Sequence, residues 1–354
     1  MPTDRLQGLG WSPSRSEEFV PYAAEGCAPA RVVAQHRGAY VVAAEAADRP
    51  AEIAGHLRHS VSGPADLPAV GDWVAVKDAA GAAAATVHGV LTRRTVFARK
   101  AAGEGAVEQI VAANVDVVFL VGALGPDLNV RRLERYLAAG WESGAEPVVV
   151  LNKCDLEDDL VGALAAVEAV AFGVPVHVAS AVEGTGVEEL ARYLAGNRTV
   201  ALLGSSGAGK SSLVNRLLGH DRQDVAEVKS DGRGRHTTTR RELLPVPGGG
   251  LVLDTPGMRE LGLWEAGGGV EQAFAEIADL AAACRFRDCA HETEPGCAVR
   301  AAIEDGRLDP DRLASYRKLL RELARLEVKT DGRALAEQRR KRRRFARSLR
   351  RSAY

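Results

Sequence analysis

The stretch Val200-Ala201-Leu202-Leu203-Gly204-Ser205-Ser206-Gly207-Ala208-Gly209-Lys210-Ser211 decides how this chain is read. Its last eight residues satisfy G-x-x-x-x-G-K-[ST] at every fixed position. An apolar run precedes them, and Leu213, Val214, Leu217 and Leu218 follow at helical spacing. In such a strand–loop–helix setting, successive backbone N–H groups and a helix N-terminus face one concavity suited to phosphate. The glycines admit close backbone approach. Gly204, Ser205, Ser206, Gly207, Ala208, Gly209, Lys210, Ser211 and the adjacent Ser212 are therefore candidate phosphate-loop residues. Lys210 would reach the β- and γ-phosphates and Ser211 would ligate Mg²⁺.

Working outward, Asp254-Thr255-Pro256-Gly257 follows the apolar Leu251-Val252-Leu253. Asp254 could hold Mg²⁺ through water, and the Gly257 N–H could sense the γ-phosphate. Alone, D-x-x-G is an ordinary turn; beside a phosphate loop it is more. Upstream, Asn152-Lys153-Cys154-Asp155 ends another strand candidate. It resembles the guanine-recognition element of GTPases, in which a carboxylate accepts from both N–H donors of the guanine edge. Such a site rejects the wrong base by leaving its polar groups unpaired. A lone N-K-x-D also fits a helix cap. Ser180 and Ala181 close the next strand and resemble the loop whose backbone meets guanine O6. Three coordinated signals favour GTP over ATP.

Gly232-Arg233-Gly234-Arg235-His236-Thr237-Thr238-Thr239 lies between the phosphate loop and Asp254, where a switch segment belongs. A threonine hydroxyl there, with Thr238 as the choice, could complete the Mg²⁺ shell, and glycines permit order–disorder transitions. A flexible basic loop touching RNA is the plainer alternative.

The order N-K-x-D, Ser-Ala, phosphate loop, Thr-rich segment, D-x-x-G is similar to that of a circularly permuted GTPase. With the N-terminal β region, G-R-G-R-H-T-T-T, a C-terminal Cys/His cluster, Ile110-Val111-Ala112-Ala113-Asn114-Val115-Asp116 and Arg131-Arg132-Leu133-Glu134-Arg135-Tyr136-Leu137, it resembles the ribosome small subunit-dependent GTPase A family (RsgA, also called YjeQ). The resemblance covers nearly all of the chain from about residue 31. It implies an OB-fold, a permuted GTPase domain and a zinc domain. The implied role is in late maturation of the small (30S) ribosomal subunit, with 16S rRNA and GTP/GDP as partners. Met258 occupies the position where Ras-like enzymes place a water-orienting glutamine, a task a thioether cannot perform. The family similarly carries an apolar residue there. His236 is the candidate to orient or deprotonate water; contact with the ribosome is its other reading. Gly207 stands where some related GTPases place a K⁺-binding asparagine.

Cys284, Cys289, His291 and Cys297 form C-x4-C-x-H-x5-C. Three thiolates and one imidazole make a closed tetrahedral set suited to one structural Zn²⁺. Arg285 and Arg287 would favour the thiolates. Five cysteines in all, three of them clustered, fit a reducing compartment better than a disulfide frame.

Bulk composition agrees with a multidomain α/β protein. In 354 residues, 46% are hydrophobic and 26% charged, which places the chain among globular proteins. The net charge of −1 conceals a basic end, Arg339-Arg340-Lys341-Arg342-Arg343-Arg344 followed by Arg347, Arg350 and Arg351. Such a run suits nucleic acid or a solvated helix end. No segment approaches the roughly 18 apolar residues that span a bilayer. The opening residues lack a signal-peptide layout. A cytoplasmic monomer with no membrane partner is expected.

The chain divides into an N-terminal extension (1–30), read as partly disordered, an OB-type β-barrel (31–100), a circularly permuted GTPase domain (107–265), a mostly helical zinc-binding domain (266–336) and a basic tail (337–354). Short strand candidates around residues 31–34, 39–42, 72–76 and 89–96 suit a small barrel or sandwich, and a five-stranded OB barrel fits. From about residue 107, strands alternate with helices, as in a parallel sheet covered on both faces. Asn152, Ser180, Gly204 and Asp254 all follow strand ends, where ligands of such sheets bind. Two function classes are open: a GTP hydrolase that binds and leaves an assembling small subunit, or an RNA-binding scaffold or chaperone whose GTP site only regulates affinity. The motif order also places the Asp254 end next to the zinc domain, so that nucleotide state could pass to both flanking domains.

Overall fold

The computed structural model describes residues 4–36, 39–61, 63–78, 83–100, 108–220, 241–254 and 268–330. The chain begins with two helices, α1 (Asp4–Gly8) and α2 (Pro13–Ala24), where the sequence suggested a partly disordered extension. The reason for the difference is packing. Leu6, Trp11 and Phe19 are buried against Trp73 and Leu91 of the following domain, each contributing about 1.5–3 kcal/mol by leaving water.

Five strands then close on themselves: β1 (Ala28–His36), β2 (Ala39–Ala43), β3 (Asp48–Ile53), β4 (Trp73–Lys77) and β5 (Ala85–Val90), with the short α3 (Gly55–Ser60) between β3 and β4. The pairing runs β1-β2-β3-β5-β4 and back to β1, antiparallel except for β3 with β5. This is a closed barrel of OB type. Alternate burial along β5 follows the two-residue period that puts one face in the barrel core. A hairpin of β6 (Val96–Lys100) and β7 (Glu108–Ala113) leads out of the barrel.

The central domain carries β8 (Val117–Ala123), α4 (Val130–Glu142), β9 (Glu146–Asn152), α5 (Leu160–Glu168), β10 (Val176–Ala179), α6 (Val187–Ala191), β11 (Thr199–Gly204), α7 (Lys210–Leu218), β12 (Arg241–Pro245) and β13 (Leu251–Asp254). Its strands lie in the order β10-β9-β8-β11-β13-β12. All neighbours are parallel except β12 with β13. Near-continuous burial along β8, β9 and β11 reflects helices on both faces. The chain runs outward through β8, β9 and β10, returns to the centre at β11, and runs the other way to β13. The strand that opens the phosphate loop thus comes fourth along the chain, which is the circular permutation. The direction reverses between β8 and β11, and the crevice beyond the carboxyl ends of such strands is where open α/β sheets bind ligands.

The barrel and the central sheet are not separate layers. β1 pairs antiparallel with β12 through Ala34–Glu242 and Gln35–Arg241, so that one hydrogen-bonded sheet of 11 strands runs through both. Arg31 reinforces the junction. It is fully buried, and its guanidinium donates to the carbonyls of Leu9, Gly71 (3.2 Å) and Asn114 (3.1 Å) and to Thr199 Oγ1 (2.9 Å). Burial pulls its pKa down to about 10, which still leaves it cationic at neutral pH.

Four helices complete the described chain: α8 (Gly268–Ala273), α9 (Ala275–Ala282), α10 (Ala298–Glu304) and α11 (Pro310–Thr330). They dock on α4. Gly269 lies so close to it that a Cβ would meet Ala138 O at 2.3 Å. Glu134 of α4 is fully buried and accepts from Arg312 (2.9 Å), Arg131 (2.7 Å) and Ser315. Arg312 also donates to Glu276 (2.6 Å) and lies 3.9 Å over the Phe274 ring. Arg135 adds a two-pronged pair with Glu322 at 2.6 and 2.9 Å.

Candidate functional site

Strand register brings the candidate nucleotide residues to one edge of the sheet. Ala123, Asn152 and Ala179 lie level across β8, β9 and β10, while Gly204 pairs with Val121 and Ala201 with Leu253. The residues after these ends, from 124 on, from 180, from 205, and Asp254 itself, therefore share a rim.

Asn152 joins two of those loops. It is 1% exposed. Its Nδ2 donates to Ala208 O at 2.9 Å, and its Oδ1 accepts from Ala181 N–H at 3.0 Å. The carboxamide thus spans from the phosphate loop to the Ser180-Ala181 loop and uses both of its polar ends. Gly209 must be glycine here, because its φ is +86° and a Cβ would meet Asn152 Nδ2 at 2.1 Å. Gly207 also has a positive φ, +81°. Lys153 takes the left-handed conformation at φ +69°, uncommon for a side chain of its size. That twist turns the chain out of β9, and Asp155 beyond it is exposed and accessible to a ligand. Ser180 is fully buried and its Oγ accepts from Glu183 N–H at 3.1 Å, which shapes the second loop.

Lys210 Nζ donates to the carbonyls of Gly204 (2.7 Å) and Ser205 (2.6 Å). Phosphate oxygens entering the loop would compete for that ammonium. Ser211 lies in the first turn of α7 and Asp254 at the end of β13. His236, Thr238, Gly257 and Met258, like the basic tail, lie outside the described residues. The structure thus brings Asn152, Ala181 and residues 204–209 into one bonded unit, places Lys153, Asp155, Ser180, Lys210, Ser211, Ser212 and Asp254 around it, and describes the remaining candidates no further. The bridging role of Asn152 is what the sequence reading missed. It depends on contacts 29 and 56 residues away in sequence.

A second cluster lies in the C-terminal helices. One ligand atom from each of Cys284, Cys289, His291 and Cys297 falls within 4.8 Å of the others. Cys284 Sγ and Cys297 Sγ are 3.9 Å apart, and His291 Nδ1 lies 3.6 and 3.4 Å from them. A tetrahedral ion with sulfur arms of about 2.3 Å separates its ligands by nearly that much, so the donor set fits a metal ion. The local chain is bent to suit: His291 has φ +60°, and Cys297 caps α10 by accepting from Arg300 N–H at 3.4 Å. Among the described residues no helix is long and apolar enough to cross a membrane.

Comparison with known proteins agrees with this geometry. A family model described as RsgA GTPase matches residues 90–264. The chain is 52% identical to a protein named small ribosomal subunit biogenesis GTPase RsgA from Opitutus terrae, over 90% of both chains. It is 50% identical to one of the same name from Streptomyces coelicolor, over 94% of this chain and 90% of that one. Among solved structures, YjeQ from Thermotoga maritima superposes with a TM-score of 0.65 at 29% identity, covering 84% of this chain and 99% of that one. YloQ, a circularly permuted GTPase, superposes at 0.59 and 23% identity, over 84% and 95%, and shares the fold. With this barrel, this permuted sheet and relatives alike over nearly their whole length, the chain belongs to the RsgA GTPase family.

Proposed function

We propose that this protein hydrolyses GTP to GDP and phosphate in late maturation of the small (30S) ribosomal subunit, binding 16S rRNA and turning over faster on the subunit. The observation that supports the nucleotide reading is the Asn152 bridge, which ties Ala208 of the phosphate-loop motif to Ala181 after β10. Family membership and the names of the relatives support the ribosomal setting.

In this reading Asp155 accepts from the guanine edge, with Lys153 beside it and the backbone of Ser180-Ala181 at O6. Residues 204–212 cradle the phosphates. Ser211, Asp254 and Thr238 would hold Mg²⁺, which when bound neutralises charge on the β- and γ-phosphates. The Gly257 N–H would sense the γ-phosphate, and His236 would orient the attacking water. Cys284, Cys289, His291 and Cys297 would hold one structural Zn²⁺ that ties the C-terminal helices. The division into residues 1–30, 31–100, 107–265, 266–336 and 337–354 belongs to the same proposal, as do a cytoplasmic location and a monomeric state.

The test is phosphate release from GTP and from ATP, alone and with purified small or large subunits. GTP-selective turnover raised by small subunits alone supports the proposal. Turnover that small subunits leave unchanged overturns its ribosomal part. Lys210→Ala separates the scaffold alternative: assembly function that survives loss of hydrolysis would favour that reading.

A further inference from the structure

At the reversal point between β8 and β11 the structure has a cavity of about 210 Å³. One wall is the phosphate loop, Ser205 to Ala208; the other is Pro126, Asp127, Leu128, Asn129 and Arg132. The cavity therefore lies between the phosphate-loop motif and the start of α4.

Three arginines crowd the start of α4, and two are committed. Arg131 pairs with Glu134 at 2.7 Å and Arg135 with Glu322 at 2.6 Å. The Arg132 guanidinium makes no hydrogen bond or ion pair to the described residues; only its backbone N–H is engaged, by Asn129 Oδ1 at 2.9 Å. It is exposed, in the first turn of a helix, where the dipole disfavours a cation. Asp127 is the one carboxylate lining the same cavity, and it too is exposed. Yet the base of Arg132 is rigid. Asn129 caps its helix, and Glu134 and Arg135 bolt that helix to α11 through Arg312, Ser315 and Glu322.

We infer that Arg132 is a catalytic residue for GTP hydrolysis, its guanidinium reaching through this cavity to the γ-phosphate oxygens. In the reaction the water oxygen bonds to the γ-phosphorus as the β,γ-bridging P–O bond breaks. The bridging electron pair passes to the β-phosphate, and the water proton passes to the released phosphate. Negative charge grows on the bridging and γ-oxygens meanwhile. A cation fixed beside them stabilises that charge without reorganising and stays protonated throughout. The role matters in a chain whose sequence carries Met258 after Asp254-Thr255-Pro256-Gly257, because a thioether cannot orient water. The inference rests on the GTPase reading.

Its test is single-turnover and steady-state hydrolysis by Arg132→Ala, Arg132→Gln and Arg132→Lys, with fluorescent GDP used to follow binding with and without aluminium fluoride. The alanine and glutamine variants should lose on the order of 10²-fold in kcat with KM and GDP affinity little changed. They should also fail to form the aluminium fluoride complex that wild type forms. Lysine should recover part of kcat. A kcat within about twofold of wild type, or GDP affinity falling in step with kcat, overturns the assignment and leaves the GTPase reading intact. Absence of GTP turnover in wild type overturns both.

Discussion

Asn152→Ala separates an internal brace from a ligand contact. The carboxamide is buried, and both of its bonds go to the protein's own backbone, at Ala208 O and Ala181 N–H. Truncation removes both at once. A buried backbone group left without a partner costs about 1–3 kcal/mol. Ala208 O keeps a second lone pair and water can enter the vacated space, so the sum is about 2 kcal/mol. If the central domain melts as one unit, that corresponds to a fall of about 4–8 °C in the Tm of nucleotide-free protein. The same energy is needed to reassemble the two loops on binding, so GDP affinity should fall about 30-fold. Asp155→Ala is the counterpart, since Asp155 is exposed: affinity for guanine nucleotide should drop while the nucleotide-free Tm stays put. The assay is thermal unfolding of nucleotide-stripped protein beside fluorescent GDP titration. If Asn152→Ala melts within about 1 °C of wild type while binding weakens (about a quarter or less of the expected shift), the bracing argument is wrong and Asn152 acts on the ligand alone.

Four further outcomes follow from the same structure. Gly209→Ala forces a Cβ to within 2.1 Å of Asn152 Nδ2 at φ +86°. Strain of about 1–3 kcal/mol should weaken nucleotide binding by about 5- to 150-fold in titrations while circular dichroism stays native. Glu134→Ala leaves Arg312 buried with only Glu276 as counter-charge, and should cost about 3 kcal/mol in urea unfolding. Stripping metal with a chelator, or Cys297→Ser, should expose the α10–α11 region to protease and to hydrogen exchange while sparing β8–β11. The backbone N–H groups of Glu294 itself, Ala290, Glu292 and Thr293 hold the Glu294 carboxyl down from 4.5 to about 2. A depressed carboxyl contributes stability above its unfolded value and loses it as pH falls from about 4.5 toward 2. Carbon-detected NMR titration should place its midpoint near 2.

What the sequence made legible is what is local. The phosphate loop, N-K-x-D and the Cys/His set are each contiguous or nearly so, and each dictates its own backbone. β11 and β9 are short apolar runs bounded by polar turns, so they read as strands without any partner in view. β3 does not, because Asp48, Arg49 and Pro50 look like a turn; its two neighbours in the barrel decide the matter. The short β12 is invisible for the same reason: Arg241 and Glu242 form a strand only because β1 and β13 lie on either side. Residues 4–24 mislead through their polar composition, since three large side chains suffice to dock two helices. Arg31 looks like any surface arginine. Only the fold reveals that four separate segments converge on its guanidinium. Neither register nor burial of this kind has a period, so no reading of spacing could find it.

The antiparallel stitch between β1 and β12 also bears on how the protein can be handled. An open parallel sheet ends in strands whose free N–H and C=O groups invite other chains. At one margin the exposure is small, because β10 is only 4 residues long. At the other, the barrel itself covers the backbone of β12 with a strand of its own. The OB module is thus a guard rail for the nucleotide-binding sheet as well as a neighbour. Truncating the chain between them would bare that margin, and self-association rather than unfolding would be the first failure of the shortened protein.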